Sequence, residues 1–393
     1  MIKVAIIGTG NISILHMEAY QAFPDRCSVV ALVDESIDSA EAKRKQLGLR
    51  DARVYVSHEE LLAQENVDLV SICTPPSTHE QIAVDCLTAG VNVLCEKPMA
   101  PSLAACDAIL RAEAASGALF SSVAQNRFRD DVVTLKSAVD SGLIGPVTRV
   151  QVDSAWWRGL SYYDLWWRGT WEQEGGGPTL NHAVHHIDLL LWLLGEPEAV
   201  TAVLTNAAHE NAEIEDLSVA VLQYERALAT VTSSVVDHGE RQQIVVQGRD
   251  AGVSLDGVVV ADVAQPNGFP APGGNTTLVD RLHALADEHV PLSHLGHQGQ
   301  VDDVLRAIEQ GGRPAIDGRA GRLTIEVITA IYQAGIERRT VELPLTTDDP
   351  YYRSGTIAER APRYFTKSAS VRHQAGAISV SGEHGVDVAG RAR

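Results

Sequence analysis

Apolar residues in the first third of the chain come as short, β-branched-rich runs at residues 3–7, 29–33, 69–73, 92–95 and 119–123. Helix-length segments such as 39–47 and 80–89 separate them. Strand–helix alternation of this kind predicts a doubly wound parallel sheet with helices on both faces, here over a first domain of residues 1–124. After Gln125 the rhythm changes. A helix with apolar spacing at Val132, Leu135 and Val139 stops at Ser141-Gly142. One continuous helix is expected over about 181–194. Alternating runs at 199–206, 217–224, 228–236, 242–247 and 252–263 then read as antiparallel strands. Helical periodicity returns at 298–310 and 319–335. The pattern predicts a second, α+β domain over 125–365, with a large open, mostly antiparallel sheet. The tail, 366–393, is rich in Ser, Gly, Ala and His without periodicity, and is expected to be extended or disordered.

Composition narrows the partners. Two domains suit 393 residues, and a formal net charge of −19 argues against binding to nucleic acid or an anionic membrane surface. The longest helix-like apolar run, 187–194, is too short to span a bilayer. Residues 2–7 begin a strand directly, without signal-peptide architecture, so a cytoplasmic location is expected. The cysteines (Cys27, Cys73, Cys86, Cys95, Cys106) are odd in number and include no C-x-x-C pair. They read as buried free thiols in a reducing compartment.

The first chemistry lies at the N-terminus. Val4-Ala5-Ile6-Ile7-Gly8-Thr9-Gly10-Asn11-Ile12-Ser13 is a strand followed by G-x-G-x-x-S and a helix. Gly8 allows the tight turn, Gly10 lets backbone approach a pyrophosphate, and Ser13 stays small enough for close helix packing. Asp34 ends the next strand, where a carboxylate accepts bonds from ribose hydroxyls. With Glu35 beside it, and no Lys or Arg before Lys43, a 2′-phosphate is repelled; NAD is expected rather than NADP. Thr74-Pro75-Pro76-Ser77-Thr78-His79 and Cys95-Glu96-Lys97-Pro98 each follow a later strand. Lys97 there can offer its charge to a substrate hydroxyl, or be a surface ion pair.

Taken together, GTGNIS-x-x-H, TPPSTH, CEKP, Gln125-Asn126-Arg127-Phe128, and Gly175-Gly176-Gly177 followed by Asn181-x-x-x-His185-x-x-Asp188 resemble the Gfo/Idh/MocA family of oxidoreductases, up to about Leu345. The resemblance implies an N-terminal Rossmann domain and a C-terminal domain whose open sheet often mediates homodimers or homotetramers. It also implies NAD(P)-dependent chemistry on sugars or cyclitols. Cofactor contacts are then expected from Gly8, Thr9, Gly10, Asn11, Ile12, Asp34, Glu35, Thr74, Pro75, Pro76, His79, Glu96, Lys97, Gln125 and Arg168. Substrate contacts are expected from Lys97, Arg127, Trp167, Asn181, His182 and His185. In the family the histidine at the position of His185 is the usual acid/base, the lysine of Glu-Lys-Pro assists, and an aspartate four residues before the histidine touches substrate. Here that aspartate is Asn181, which can bond a hydroxyl but cannot take a proton.

On one helix, positions 181, 185 and 188 share a face, and a histidine is a natural acceptor for an alcohol proton. Two other readings compete. His182-x-x-x-His186 has metal-ligand spacing, but no glutamate or cysteine partners accompany it, so no metal is expected. His185 as a satisfied core histidine is the structural alternative. Five of the six tryptophans fall between Trp156 and Trp171. They suit either the apolar face of a pyranose or a hydrophobic contact, with Trp167 and Arg168 leaning towards the active site. The expected function is an NAD-dependent oxidoreductase acting on the CH–OH group of a sugar, sugar derivative or cyclitol. An NAD-dependent glycoside-cleaving enzyme and a non-catalytic nucleotide or sugar sensor are the alternatives.

Overall fold

The structure, a computed structural model, describes residues 1–371, which fold as two compact units. The first comprises Met1–Val133, Val290–Glu326 and Tyr352–Ser354. The second comprises Thr134–His289, Val327–Tyr351 and the described residues from Gly355 onward.

The first unit is built on six parallel strands: β1 (Ile2–Ile7), β2 (Cys27–Val33), β3 (Arg53–Tyr55), β4 (Leu69–Ile72), β5 (Asn92–Cys95) and β6 (Phe120–Ser122). Their order, β3-β2-β1-β4-β5-β6, reverses direction at β1, and ligands of such sheets bind outside the carboxyl ends at that point. The strands are β-branched-rich because both faces are covered: Val4, Ile6, Leu32, Leu69 and Leu94 are buried against Met17 and Tyr20 of helix Ile12–Gln21. Strand β3 escapes sequence reading because its three residues are too few to show a period.

Residues 290–326 join this unit, a division different from the expected single boundary near Gln125. Helix Gly296–Gln310 packs Val301, Val304 and Leu305 into the same core. Its acidic face holds Arg26, whose Nε and Nη2 lie 2.9 Å from Glu309 and whose Nη1 lies 2.5 Å from Asp302. Gln300 accepts from the Ala124 N–H at 3.0 Å and donates to the Ser122 carbonyl at 2.8 Å, bracing the end of β6. Helical periodicity shows that a segment has an apolar face, not which body that face meets.

The second unit carries eight strands: β7 (Val147–Trp157), β8 (Ala199–Thr205), β9 (Leu217–Gln223), β10 (Leu228–Ser234), β11 (Val236–Gly248), β12 (Gly252–Ser254), β13 (Val259–Val260) and β14 (Val341–Glu342). Their order is β13-β12-β11-β7-β10-β9-β8-β14, antiparallel except for the β7–β10 pair. Period-two alternation buries Val200, Ala202 and Leu204 of β8 and leaves Val203 exposed. The described start of the tail, 366–371, is extended and docked: Ser368 and Ala369 donate to Asn211 Oδ1 at 2.8 and 2.9 Å, and Val371 pairs with Leu165. Residues 372–393 lie outside the described residues. Among those described, no helix is long and apolar enough to cross a membrane.

Candidate functional site

In the first unit the expected cofactor residues collect at the carboxyl ends of the strands. Gly8 follows β1 with φ +91°, and a Cβ there would stand 2.8 Å from the Cys73 carbonyl, so only glycine fits. Gly10 differs. A Cβ there would meet nothing within 4 Å, so no packing within the chain demands glycine. The space it leaves open at the start of helix Ile12–Gln21 is what close approach of a phosphate needs. Ser13 is fully buried and donates to the Gly10 carbonyl at 2.6 Å, closing the turn. Asn11 is exposed and Ile12 half-buried.

Asp34 follows β2, half-buried, with Glu35 exposed beside it. Three donors fix its carboxylate: Thr9 N–H at 2.9 Å, Thr9 Oγ1 at 2.6 Å and Ser36 N–H at 2.9 Å. A carboxylate has about four acceptor positions, so capacity for a hydroxyl donor remains. Gln125, after β6, has a buried Oε1 without a hydrogen-bond partner. The open space at Gly10, the clamped acid and this orphaned amide oxygen fit a dinucleotide.

The remaining strand ends differ among themselves. Thr74, Pro75 and Pro76 follow β4, where Thr78 Oγ1 bonds Thr74 Oγ1 at 2.7 Å. His79 is fully buried, its ring nitrogens 3.0 Å from the Pro98 carbonyl and 2.9 Å from the Thr74 carbonyl, so it ties the two loops together. Burial lowers its pKa. Glu96 points into the unit's interior, 2.9 Å from His16. Lys97 and Arg127 are half-buried.

The second unit corrects one inference from spacing. The expected helix over about 181–194 is two helices, Pro178–Asn181 and Val184–Leu194. His182 and Ala183 both donate to the Pro178 carbonyl, at 3.0 and 2.8 Å, which closes the first helix before the second begins. Asn181 and His182 therefore do not lie on the helix of His185, and helical spacing no longer relates them to it. His185 and Asp188 do share one helix, with His185 half-buried in its first turn.

Asn181 has a different occupation. Its amide donates to the Gly176 carbonyl at 2.7 Å and to Glu174 Oε1 at 3.3 Å. An aspartate there would turn an acceptor towards a carbonyl and a carboxylate, so the amide matches its surroundings where the acid does not. Glu174 is buried, and burial raises its pKa against the lowering effect of Arg168. Arg168 Nη1 lies 2.6 Å from Glu174 Oε1, and its guanidinium is sandwiched 4.2 Å from Tyr162 and 4.0 Å from Trp167. Its Nε is buried without a hydrogen-bond partner.

The tryptophans divide by depth. Trp171 is core, donating to the Pro362 carbonyl at 3.0 Å; Trp157 and Trp166 are exposed; Trp156 and Trp167 are half-buried, with Trp156 tilted against His182.

Glu215 was invisible to motif reading. It is fully buried and accepts from Gly177 N–H at 3.1 Å, Thr179 N–H at 3.3 Å and Tyr332 Oη at 2.9 Å, holding the start of helix Pro178–Asn181. Burial pushes its pKa up to about 7. The folded protein then keeps a proton that the unfolded chain loses as pH rises from about 4.5 to about 7. This carboxyl's contribution to stability falls across that window, by up to about 3 kcal/mol. Denaturant unfolding of wild type and Glu215→Gln at pH 5 and pH 8 checks this: the wild type's advantage is expected to shrink at the higher pH. A constant difference would contradict the shift.

Comparison with known proteins accords with this geometry. Residues 2–123 match the family model described as "Oxidoreductase family, NAD-binding Rossmann fold", and residues 132–254 match the "GFO/IDH/MocA C-terminal domain". Between them the two cover more than half of the chain. An uncharacterized oxidoreductase of Schizosaccharomyces pombe is 31% identical over 57% of this chain and 60% of its own length. The myo-inositol 2-dehydrogenase of Thermotoga maritima is 25% identical over 87% of this chain and 98% of its own. Among solved structures, the WlbA dehydrogenase of Bordetella pertussis, in complex with NADH and UDP-GlcNAcA, superposes with a TM-score of 0.76 at 28% identity, over 88% of this chain and 98% of that one.

Proposed function

The chain belongs to the Gfo/Idh/MocA oxidoreductase family, and on that premise we propose that it interconverts a secondary alcohol and a ketone on a sugar, sugar derivative or cyclitol. The observation that carries this reading is the pairing, on one chain, of an NAD-binding unit bearing half-buried Lys97 at the end of β5 with half-buried His185 at the start of its helix. NAD, when bound, supplies the hydride acceptor. His185 takes the hydroxyl proton as the alcohol is oxidised, and Lys97 stabilises the developing alkoxide. Asn181 cannot serve as base, so proton transfer rests with His185, with Lys97 assisting as a cation. Trp167, Arg127 and His182 contact the sugar, and Arg168 approaches the cofactor. Asp34 and Glu35 repel a 2′-phosphate and so select NAD.

The names of the relatives support a polyol substrate: an inositol dehydrogenase among curated proteins, and a dehydrogenase holding a nucleotide sugar among structures. The protein acts in the cytoplasm as a homodimer or homotetramer through the eight-stranded sheet. The face of that sheet presenting Val203, Val219 and Leu228 to solvent supports such an assembly.

The test is nicotinamide reduction against a panel of hexoses, inositols and amino- and anhydro-sugars, with NAD and NADP in parallel. At least one member is expected to yield NADH, with NADP at least ~10-fold slower, the scale of one lost charge interaction. No turnover with any member would remove the dehydrogenase reading; faster NADPH formation would remove the role given to Asp34 and Glu35.

A further inference from the structure

The segment GTGNIS-x-x-H contains a histidine, His16, that neither nucleotide binding nor proton transfer uses. It sits on helix Ile12–Gln21, fully buried, in a chain of polar contacts running through the first unit's core. Tyr20 Oη lies 2.7 Å from Ser71 Oγ, Ser71 Oγ lies 3.2 Å from His16 Nδ1, and His16 Nε2 lies 2.9 Å from Glu96 Oε1. The other carboxylate oxygen of Glu96 accepts from the backbone N–H of Lys97 at 3.0 Å.

Only one arrangement of protons satisfies all of these contacts with Glu96 ionised and His16 neutral. A carboxylate only accepts, so His16 Nε2 carries the hydrogen and Nδ1 is the acceptor. Ser71 then donates to Nδ1, and Tyr20 donates to Ser71. Burial alone raises the Glu96 pKa, yet the bond from His16, with His297 and Lys97 nearby, brings it well below the usual carboxylate range. His297 Nε2 stands 3.4 Å from the same Glu96 oxygen, adding a second imidazole to that side of the carboxylate.

We propose that His16 is a positioning residue for the dehydrogenase reaction, acting through Glu96 to hold the Lys97 peptide in place. The chain directs one carboxylate oxygen to the core and the other to the residue whose ammonium meets the substrate. Glu96 sets the tautomer, and Ser71 supplies the hydrogen bond that Nδ1 of that tautomer accepts. The catalytic consequence rests on the function proposed above; the His16–Glu96–Lys97 link itself does not.

The test compares wild type with His16→Leu, His16→Gln and Ser71→Ala in the full chain, by two readouts. Hydrogen–deuterium exchange reports protection of the Lys97 amide without needing turnover, and steady-state kinetics separate kcat from KM. His16→Leu is expected to speed exchange at Lys97 and to lower kcat, each about tenfold, with KM for NAD within about twofold. A glutamine amide nitrogen can occupy the place of Nε2, so His16→Gln is expected to restore both to within threefold of wild type. Ser71→Ala moves both readouts the same way by about threefold, and decides the matter if His16→Leu does not fold. Unchanged exchange in the folded variants overturns the proposal. Faster exchange in His16→Leu, beside a wild type that reduces no nicotinamide, leaves the link standing and removes the dehydrogenase reading instead.

Discussion

Replacing His185 by alanine is expected to lower turnover in the proposed dehydrogenase reaction by about 10² or more, the scale of removing a positioned general base. Lys97→Ala is expected to produce a fall of similar size through loss of the cation proposed to stabilise the nascent alkoxide. The two variants differ in how they respond to solution conditions. Without His185 the alcohol proton must leave to solvent, so the residual rate of His185→Ala rises with pH as hydroxide takes over. Lys97→Ala lacks a charge rather than a proton acceptor, and hydroxide does not replace it. His185 is proposed to meet the substrate rather than the nucleotide, so His185→Ala is expected to bind NAD within about twofold of wild type. Steady-state rates from pH 6 to 10, with NAD affinity by fluorescence titration, check these outcomes. Near-normal turnover of His185→Ala would remove the acid/base assignment.

Gly177→Ala is expected to destabilise the second unit by about 3 kcal/mol or more, beyond the ordinary range for an added core methyl. A Cβ at Gly177 would lie 1.9 Å from the Glu215 carbonyl oxygen, and backbone cannot give way as a side-chain tip can. The same residue donates its N–H to both Glu215 oxygens at 3.1 Å, so any shift also breaks the support under helix Pro178–Asn181. At this size the loss corresponds to roughly 6–12 °C in Tm. Gly10→Ala is the control. A Cβ there enters open space, so Tm holds while NAD affinity falls about tenfold or more from the group placed where the phosphate must approach. Calorimetry and NAD titration of the two variants separate a glycine required by the fold from one required by the ligand. Equal Tm losses in both would refute the distinction.

The reach of sequence reading is clearest where a property is local. The β-branched runs that became β1, β2, β4 and β5, the turn at Gly8, and Asp34 at the end of β2 all lie within a few residues of the signal that announces them. Backbone dihedral preference and two-faced burial act over such short stretches, so they leave their mark in the residue pattern. The antiparallel alternation of β8 and β9 is legible for the same reason.

Other features depended on contacts between distant residues. The break at His182 goes with the sharing of the Pro178 carbonyl, with Glu215 holding the Gly177 N–H and with Glu174 accepting from the Asn181 amide, whereas the local sequence favours one continuous helix. Trp171 and Trp166 look alike in the sequence, yet one is core and the other exposed, because burial belongs to the surroundings. Helix Gly296–Gln310 reached the first unit through Arg26 and Gln300, and His16 reached Glu96 across 80 residues. Sequence by itself determined the parallel sheet, its nucleotide turn and the residue types available for proton transfer. Tertiary structure alone decided which helix joins which unit, which carboxylates are buried, and which side chains hold others in place, because those depend on desolvation and on pairing between residues far apart in the chain.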